Sequence, residues 1–299
     1  MTDPFIRYLL AKQSVDDRAL NRSVYEALIA HLPAGPIRII EVGAGIGTMI
    51  ARLLRWNALR QAEYLAIDAR PENVEYARVW LPAWAERAGL GVERSAEQIR
   101  LFDAQRQVWV RFLAADVFDV IRQSPPPADL LIAHAVLDLL PLPESLSPLL
   151  SLTHHLAWFT LNFDGITAFE PPLDPALDAQ IERLYHRTMD TRPGGGDSRC
   201  GRHLLGYLLS LGVEMLAAGP SDWIISPSHG AYPEDEAFFL QAILNFVEDS
   251  LRYEPELDQA AFARWLGLRR QQVQEGKLIY VAHQVDVLVQ AAAHQSIAG

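Results

Sequence analysis

The residues best suited to chemistry form one short run, Glu41-Val-Gly43-Ala-Gly45-Ile-Gly47-Thr48. Glycines at alternate positions let the backbone turn tightly and let a ligand approach main-chain atoms that a Cβ would shield. The spacing separates two ligand classes. A dinucleotide fingerprint needs G-x-G-x-x-G, and its third position here is Thr48, with Gly47 one residue early. An acid just before the first glycine would repel a pyrophosphate and suits a ligand with a cationic amino group. Further along, Asp68, Asp116 and His134 each follow an apolar run, supplying two more carboxylates and an imidazole that could take a proton. Each also has a bland role. Glu41 could pair with a nearby base, Asp116 could cap a helix, and His134 could be a satisfied core histidine.

The elements that must position these residues alternate. Residues 16–31 place Leu20, Val24, Leu28 and Ile29 on one helical face, with Ser14 as N-cap and Asp17 at the capping-box position. Ile37–Val42 reads as a strand, followed by a helix rich in Met49, Ile50, Leu53 and Leu54. Tyr64–Asp68 repeats the strand pattern, and Pro71 opens a helix with Glu72 and Glu75 in its first turn. Val108–Leu113, Leu130–Ala133 and Leu156–Phe163 supply further apolar runs. Strands alternating with helices predict right-handed βαβ units and a doubly wound, mainly parallel α/β sheet of Rossmann-like type. Past Phe163 come a helical piece through Ile181 and Leu184, a glycine-rich loop at 192–201, a helix over 202–211 and a strand from Val213. Two helices, at about 233–252 and 257–274, precede a last strand over 277–283. The expected division is a helical lid over 1–32, a cofactor-binding core over 33–169, a substrate-loop insertion over 170–200, and completion of the sheet over 201–299.

An E-x-G-x-G-x-G run after a strand resembles the first motif of class I S-adenosylmethionine-dependent methyltransferases. By that resemblance Glu41 is the acid near the methionyl amino group, and Gly43, Gly45 and Gly47 form the loop under the cofactor. Asp68 takes the place of the acid that accepts from both ribose hydroxyls, and Asp116-Val117 the segment beside the adenine. His134, closing the fourth strand of the pattern, faces cofactor and substrate. The four matches fall in family order over roughly residues 35–165. The resemblance implies methyl transfer from S-adenosylmethionine.

Composition narrows the acceptor. The chain has 26 Lys+Arg against 37 Asp+Glu, a formal net charge of −11, so its surface as a whole repels phosphate backbones. No [D/N/S]-P-P-[Y/F] run stands at His134, and the single Cys, Cys200, lies far from where a cytosine-C5 enzyme needs its nucleophile. One Cys also rules out a disulfide framework or a multi-cysteine metal site, and the carboxylates Asp129 and Asp138 are poorly spaced for a metal. The expected setting is cytoplasmic, with no membrane partner. A small-molecule acceptor, methylated at oxygen or nitrogen, is therefore expected ahead of nucleic acid. A tRNA methyltransferase with a hidden basic face, a non-catalytic S-adenosylmethionine-binding protein and an NAD-linked oxidoreductase are the rivals, and a homodimer is left open.

The acceptor pocket should come from segments the core lacks. On the first helices Tyr8, Arg18 and Arg22 are candidate substrate residues, with Lys12 and Asn21 nearby. Three glycines in a row flanked by Arg192, Arg199 and Arg202 could close on an anionic acceptor, or those residues could merely cap the next helix. His134 and His229 are the candidate general bases, while His154 and His155 are expected at the opposite sheet edge. Trp223, Tyr232, Phe238 and Phe239 could form an aromatic wall or ordinary core.

Overall fold

A computed structural model describes residues 3–291. Three short helices come first: α1 (Pro4–Ala11), α2 (Gln13–Ala19) and α3 (Arg22–His31). Asp3 caps α1 by accepting from Phe5 and Ile6 N–H, and Asn21 caps α3 by accepting from Val24 N–H. This corrects the expected single helix over 16–31. The chain breaks at Leu20-Asn21 because the Asn21 N–H donates to the buried carboxylate of Asp286, 2.8 Å away, on the last strand. Ser14, expected as a cap, lies inside α2 and donates to Glu236.

The core follows as β1 (Ile37–Val42), α4 (Thr48–Arg55), β2 (Gln61–Asp68), α5 (Pro71–Arg87), the hairpin β3 (Gly91–Arg94) and β4 (Ile99–Phe102), and β5 (Gln107–Ala114). Then come α6 (Val117–Arg122), β6 (Ala128–His134), a 3-10 turn (Leu137–Leu139), α7 (Leu146–Leu150) and β7 (Thr153–Glu170). The rest comprises α8 (Pro175–Asp190), α9 (Cys200–Ser210), β8 (Glu214–Pro220), β9 (Trp223–Ile225), α10 (Glu236–Leu251), α11 (Gln259–Gln274) and β10 (Ile279–Gln290). The sheet order is β3-β4-β5-β2-β1-β6-β7-β10-β8, with β9 also on β10. Strands β5, β2, β1, β6 and β7 run parallel, whereas β10 is antiparallel to β7, β8 and β9.

The sheet is doubly wound, with apolar cores on both faces. Ile39, Tyr64 and Ile132 point to one side, toward α3, α4 and α5, and Ile40, Val42 and Leu131 point to the other. From β1 the chain works outward through β2 to β5 and then crosses back to β6 on the other side of β1. The switch point between the carboxyl ends of β1 and β6 is where open α/β sheets bind ligands.

One feature exceeds the expected strands. β7 has 18 residues and β10 has 12, but β6 follows β7 only to the His134–Thr160 pair. Residues 161–170 therefore project past the sheet as a ribbon with the first half of β10 and with β9. Helix α8 packs on that ribbon, α10 packs on α8 and α11, and α1 packs on α10. Segments that read in sequence as separate additions thus form one layer above the carboxyl ends of the strands.

Candidate functional site

The floor of the site is the turn after β1. Gly43, Gly45 and Gly47 have φ of +68°, +54° and +83°, a region open to glycine at little steric cost. The turn is tightly roofed. A Cβ on Gly43 would lie 2.8 Å from Val136, and one on Gly45 would lie 3.3 Å from Leu9 of α1. Asp68, at the end of β2, fastens the turn. One carboxylate oxygen accepts the Gly45 N–H at 2.7 Å, and the other accepts Arg70 N–H at 2.9 Å and Asn73 Nδ2 at 3.0 Å. Burial raises its pKa, against the pull of these donors. Three donors leave room for one more on a carboxylate, and Asn73 Oδ1 beside it is buried with no partner. Two adjacent open acceptors suit a vicinal diol.

Glu41 is 1% exposed and accepts from Tyr64 Oη at 2.8 Å. Burial pushes its pKa up to about 8, with Tyr64 and Arg52 working against that shift. It is mostly neutral at pH 7, and a ligand ammonium placed beside it would ionise it. Asp116 is exposed and accepts from Phe118 N–H at 2.7 Å, capping α6, while Val117 is buried as the first residue of that helix.

The wall at the end of β6 is a buried polar network. His134 Nδ1 lies 2.7 Å from Thr160 Oγ1, and Nε2 lies 3.1 Å from Asp16 Oδ2. Burial opposes ionisation of Asp16, but Lys12, His134 and Arg52 outweigh it and hold its pKa near about 2. Against an ionised Asp16, Nε2 carries the proton and the Thr160 hydroxyl donates to Nδ1, a tautomer assigned from these partners. Burial depresses the His134 pKa to about 4. Both ring nitrogens are thus engaged. With both nitrogens bonded inside the protein, and Arg52 Nη1 also 3.4 Å from Nε2, the His134 ring offers no free lone pair for the expected base. Asp16 also accepts from Trp223 Nε1 at 3.1 Å, with Lys12 Nζ at 3.4 Å and Arg52 Nη2 at 3.7 Å. Nothing in the local sequence singles out Asp16, which reads there as one more polar residue of a short helix.

The other expected residues scatter. Tyr8 reaches the site, half-buried, stacked on Phe239 and set edge-on to Phe246, with Lys12 over its ring. Arg18 instead binds Glu236 at 2.5 Å, docking α2 to α10, and Arg22 pairs along α3 with Glu26 on the surface. Of the three arginines of the glycine loop, Arg199 and Arg202 both border Gly165 of β7, within 3.7 Å of where its Cβ would sit, and Arg192 stands apart. Arg202 is fixed to Asp164 at 2.8 Å, Arg199 lines a surface groove between β7 and α8, and Arg192 is exposed near the 3-10 turn. Within the loop, Gly195 packs against Leu140 and Pro141 and Gly196 against Met189, while residues 191–194 are exposed.

His229 lies far away. It sits exposed in a turn beside Gly276, past the Glu170–Ile279 pair. That pair is ten residues along β7 from Thr160, about 33 Å at strand rise. The aromatic wall also divides: Trp223 and Phe239 pack together at the site, Tyr232 donates to Leu278 C=O on the ribbon, and Phe238 lies under Arg7 on the surface. His154 pairs with Asp129 at the amino-terminal end of β6. Among the described residues no group of three metal-ligating side chains occurs, and no helix is long and apolar enough to cross a membrane.

Together, the doubly wound fold and the glycine turn place the buried acids Glu41 and Asp68 at the switch point of the sheet. Solved structures similar to this chain include a cyclopropane-fatty-acyl-phospholipid synthase-like protein from Lactobacillus casei, at 11% identity and a TM-score of 0.49, covering 93% of this chain and 92% of that one. A SAM-dependent methyltransferase from Thiobacillus denitrificans, in complex with S-adenosyl-L-homocysteine, shows 14% identity and a TM-score of 0.46 over 91% of this chain and 92% of that one. The cyclopropane synthase MmaA2 from Mycobacterium tuberculosis shows 10% identity and a TM-score of 0.45 over 90% and 82%. At such identities and scores the likeness fixes no activity for this chain. No protein-family model matches the sequence, and no curated protein matches it.

Proposed function

We propose that this chain is a class I methyltransferase that transfers a methyl group from S-adenosylmethionine to a small-molecule acceptor, at oxygen or nitrogen. The observation that carries the reading is the glycine turn at the switch point, with Glu41 beneath it and Asp68 bonded to its backbone. The residues fit the cofactor. Asp68 and Asn73 have the two open acceptors that ribose hydroxyls need, and Glu41 is a buried carboxyl waiting for a cation. Gly43, Gly45 and Gly47 would lie under the methionyl chain, and Asp116-Val117 beside the adenine. When bound, S-adenosylmethionine supplies a methyl group activated by its sulfonium.

The protein's own contribution is to hold the acceptor in line and keep water out, which can supply on the order of 7–11 kcal/mol. Helices α1 and α2 close the site from above, locked by Asp16 to His134, Trp223, Lys12 and Arg52. His134 holds that lock in register with β6 and β7. The net charge of −11 favours a small acceptor over nucleic acid, and a cytoplasmic setting belongs to the same reading.

Calorimetric titration with S-adenosylhomocysteine tests it. One equivalent should bind, and Asp68→Ala should weaken binding by about 1–3 kcal/mol by removing a charged hydrogen-bond acceptor. Absence of binding to the wild type would refute the reading. Binding without incorporation of labelled methyl into any component of a metabolite extract would leave a cofactor-binding protein without catalysis.

A further inference from the structure

Past Thr160 one edge of β7 has no strand beside it. β6 follows β7 only to the His134–Thr160 pair, and from there to Glu170 the strand pairs with β10 alone. Over 167–170 the register with β10 is regular, so alternate residues turn their main-chain groups away from it. Thr167 is one of these. Its N–H donates to Glu182 Oε1 of α8 at 2.8 Å, a carboxylate standing where a neighbouring strand would offer a carbonyl. By the same alternation the Thr167 C=O and both main-chain groups of Phe169 face that edge, and among the described residues none of them has a partner there. Just before, β7 bulges: between the Phe163–Gln284 and Thr167–Ala282 pairs it has three residues to one on β10, and Gly165 takes φ +80°.

The edge borders a groove of about 590 Å³, walled by β7 at Gly165, Ile166 and Ala168, by α8, and by Ser198-Arg199. A smaller cavity of about 170 Å³ continues along the edge to Phe169, and the two meet at Ala168, Ala179 and Glu182. An unpaired strand edge bonds to another extended chain. Because α8 stands where the next strand of a folded sheet would lie, the groove admits a single extended segment and excludes the sheet edge of a second copy. Charge narrows the occupant further. Arg183 is paired with Glu256 at 3.5 Å, and Arg187 with Glu256 at 2.5 Å and Glu254 at 3.0 Å. Asp190 is satisfied by the Ser198 N–H and hydroxyl. Arg199, exposed beside Gly165, has no Asp or Glu oxygen within 4.0 Å among the described residues. Such a guanidinium matches a carboxylate in a two-bond pair.

We propose that this groove binds an extended acidic segment of a partner protein, added as a strand along β7 with a carboxylate on Arg199. Glu182 is the internal competitor, since an incoming carbonyl takes the Thr167 N–H that Glu182 now holds. The groove lies apart from the crevice at His134: Gly165 is five residues past Thr160, about 17 Å at full strand rise. It is a docking site, and it stands whether or not the chain transfers methyl groups.

The test selects from a phage-displayed library of random seven-residue peptides on the full chain, then measures the recovered peptides by fluorescence anisotropy. They should share an Asp or Glu. Arg199→Ala should weaken them about tenfold, and Ala179→Trp, which fills the groove from an exposed position, should abolish binding. Methylating alternate backbone nitrogens of the peptide should weaken binding in one phase of the alternation and spare it in the other, the mark of strand pairing. Glu182→Ala frees the Thr167 N–H and should tighten binding, a gain that loss of fold could not produce. Melting temperatures of Arg199→Ala and Ala179→Trp should hold. No enrichment of any peptide, a preference for basic peptides, or affinity unchanged by Arg199→Ala or Ala179→Trp would overturn the proposal. So would equal effects of the two methylation phases, which would mark a site for a bare anion, or weaker binding in Glu182→Ala.

Discussion

Glu41→Gln separates stability from function. The carboxyl is 1% exposed, and its pKa rises from an ordinary 4.5 to about 8 in the folded chain. The folded state therefore keeps a proton that the unfolded state gives up, and stability falls as pH rises from 4.5 toward 8. At pH 7 the span above 4.5 is 2.5 pKa units, and at 1.36 kcal/mol per unit the burial of this acid costs about 3 kcal/mol. Glutamine is uncharged at every pH, and its carbonyl oxygen can still accept from Tyr64. The variant should thus match the wild type at pH 4 and exceed it by about 3 kcal/mol at pH 7, or about 5–10 °C in melting temperature. Thermal unfolding followed by circular dichroism at the two pH values measures the difference, in which other titrating groups such as His134 and Asp286 cancel.

Function should move the opposite way. An ammonium bound beside Glu41 ionises it, so S-adenosylhomocysteine binding at pH 7 should release about one proton. Calorimetry in two buffers of different ionisation enthalpy reads that release, and Glu41→Gln should abolish it while weakening the ligand. A stability gain that is independent of pH, or a destabilised variant at pH 7, would show that the buried carboxyl is not the strained group described here.

Two further outcomes follow from the same geometry. Asp16→Ala leaves Lys12 buried without its anion, while Arg52 keeps Asp17 at 2.5 Å, and should lower stability in urea by about 3–5 kcal/mol; a change below about 1 kcal/mol would mean that the lock on α1 and α2 is not real. Gly45→Val places a β-branched residue at φ +54° against Leu9 and should eliminate S-adenosylhomocysteine binding with the far-ultraviolet spectrum retained. Undiminished binding there would show that no ligand approaches that backbone.

Much of the core was legible because its signals are local. The apolar run ending at Val42 marks β1 and its glycines mark the turn; the run to Asp68 marks β2, and Pro71 marks the start of α5. The hairpin β3–β4 escaped notice because its exposed, charged stretch Gly91–Arg94 lacks an alternating apolar face. The length of β7 and β10 was also hidden. Each is interrupted by polar residues such as Asn162, Asp164, Gln284 and Asp286, which read as strand ends until they find partners in the folded chain.

The sequence alone determined the parallel sheet, the glycine turn and the acids beside it, since strand periodicity and backbone conformational demand act over a few neighbouring residues. Only the tertiary structure decided which distant side chains share the site. It brought Asp16 of a short amino-terminal helix to His134 and carried His229 to the far tip of the ribbon. The physical reason is that burial and charge pairing depend on helices that meet across more than a hundred residues of chain, and no local pattern encodes that meeting.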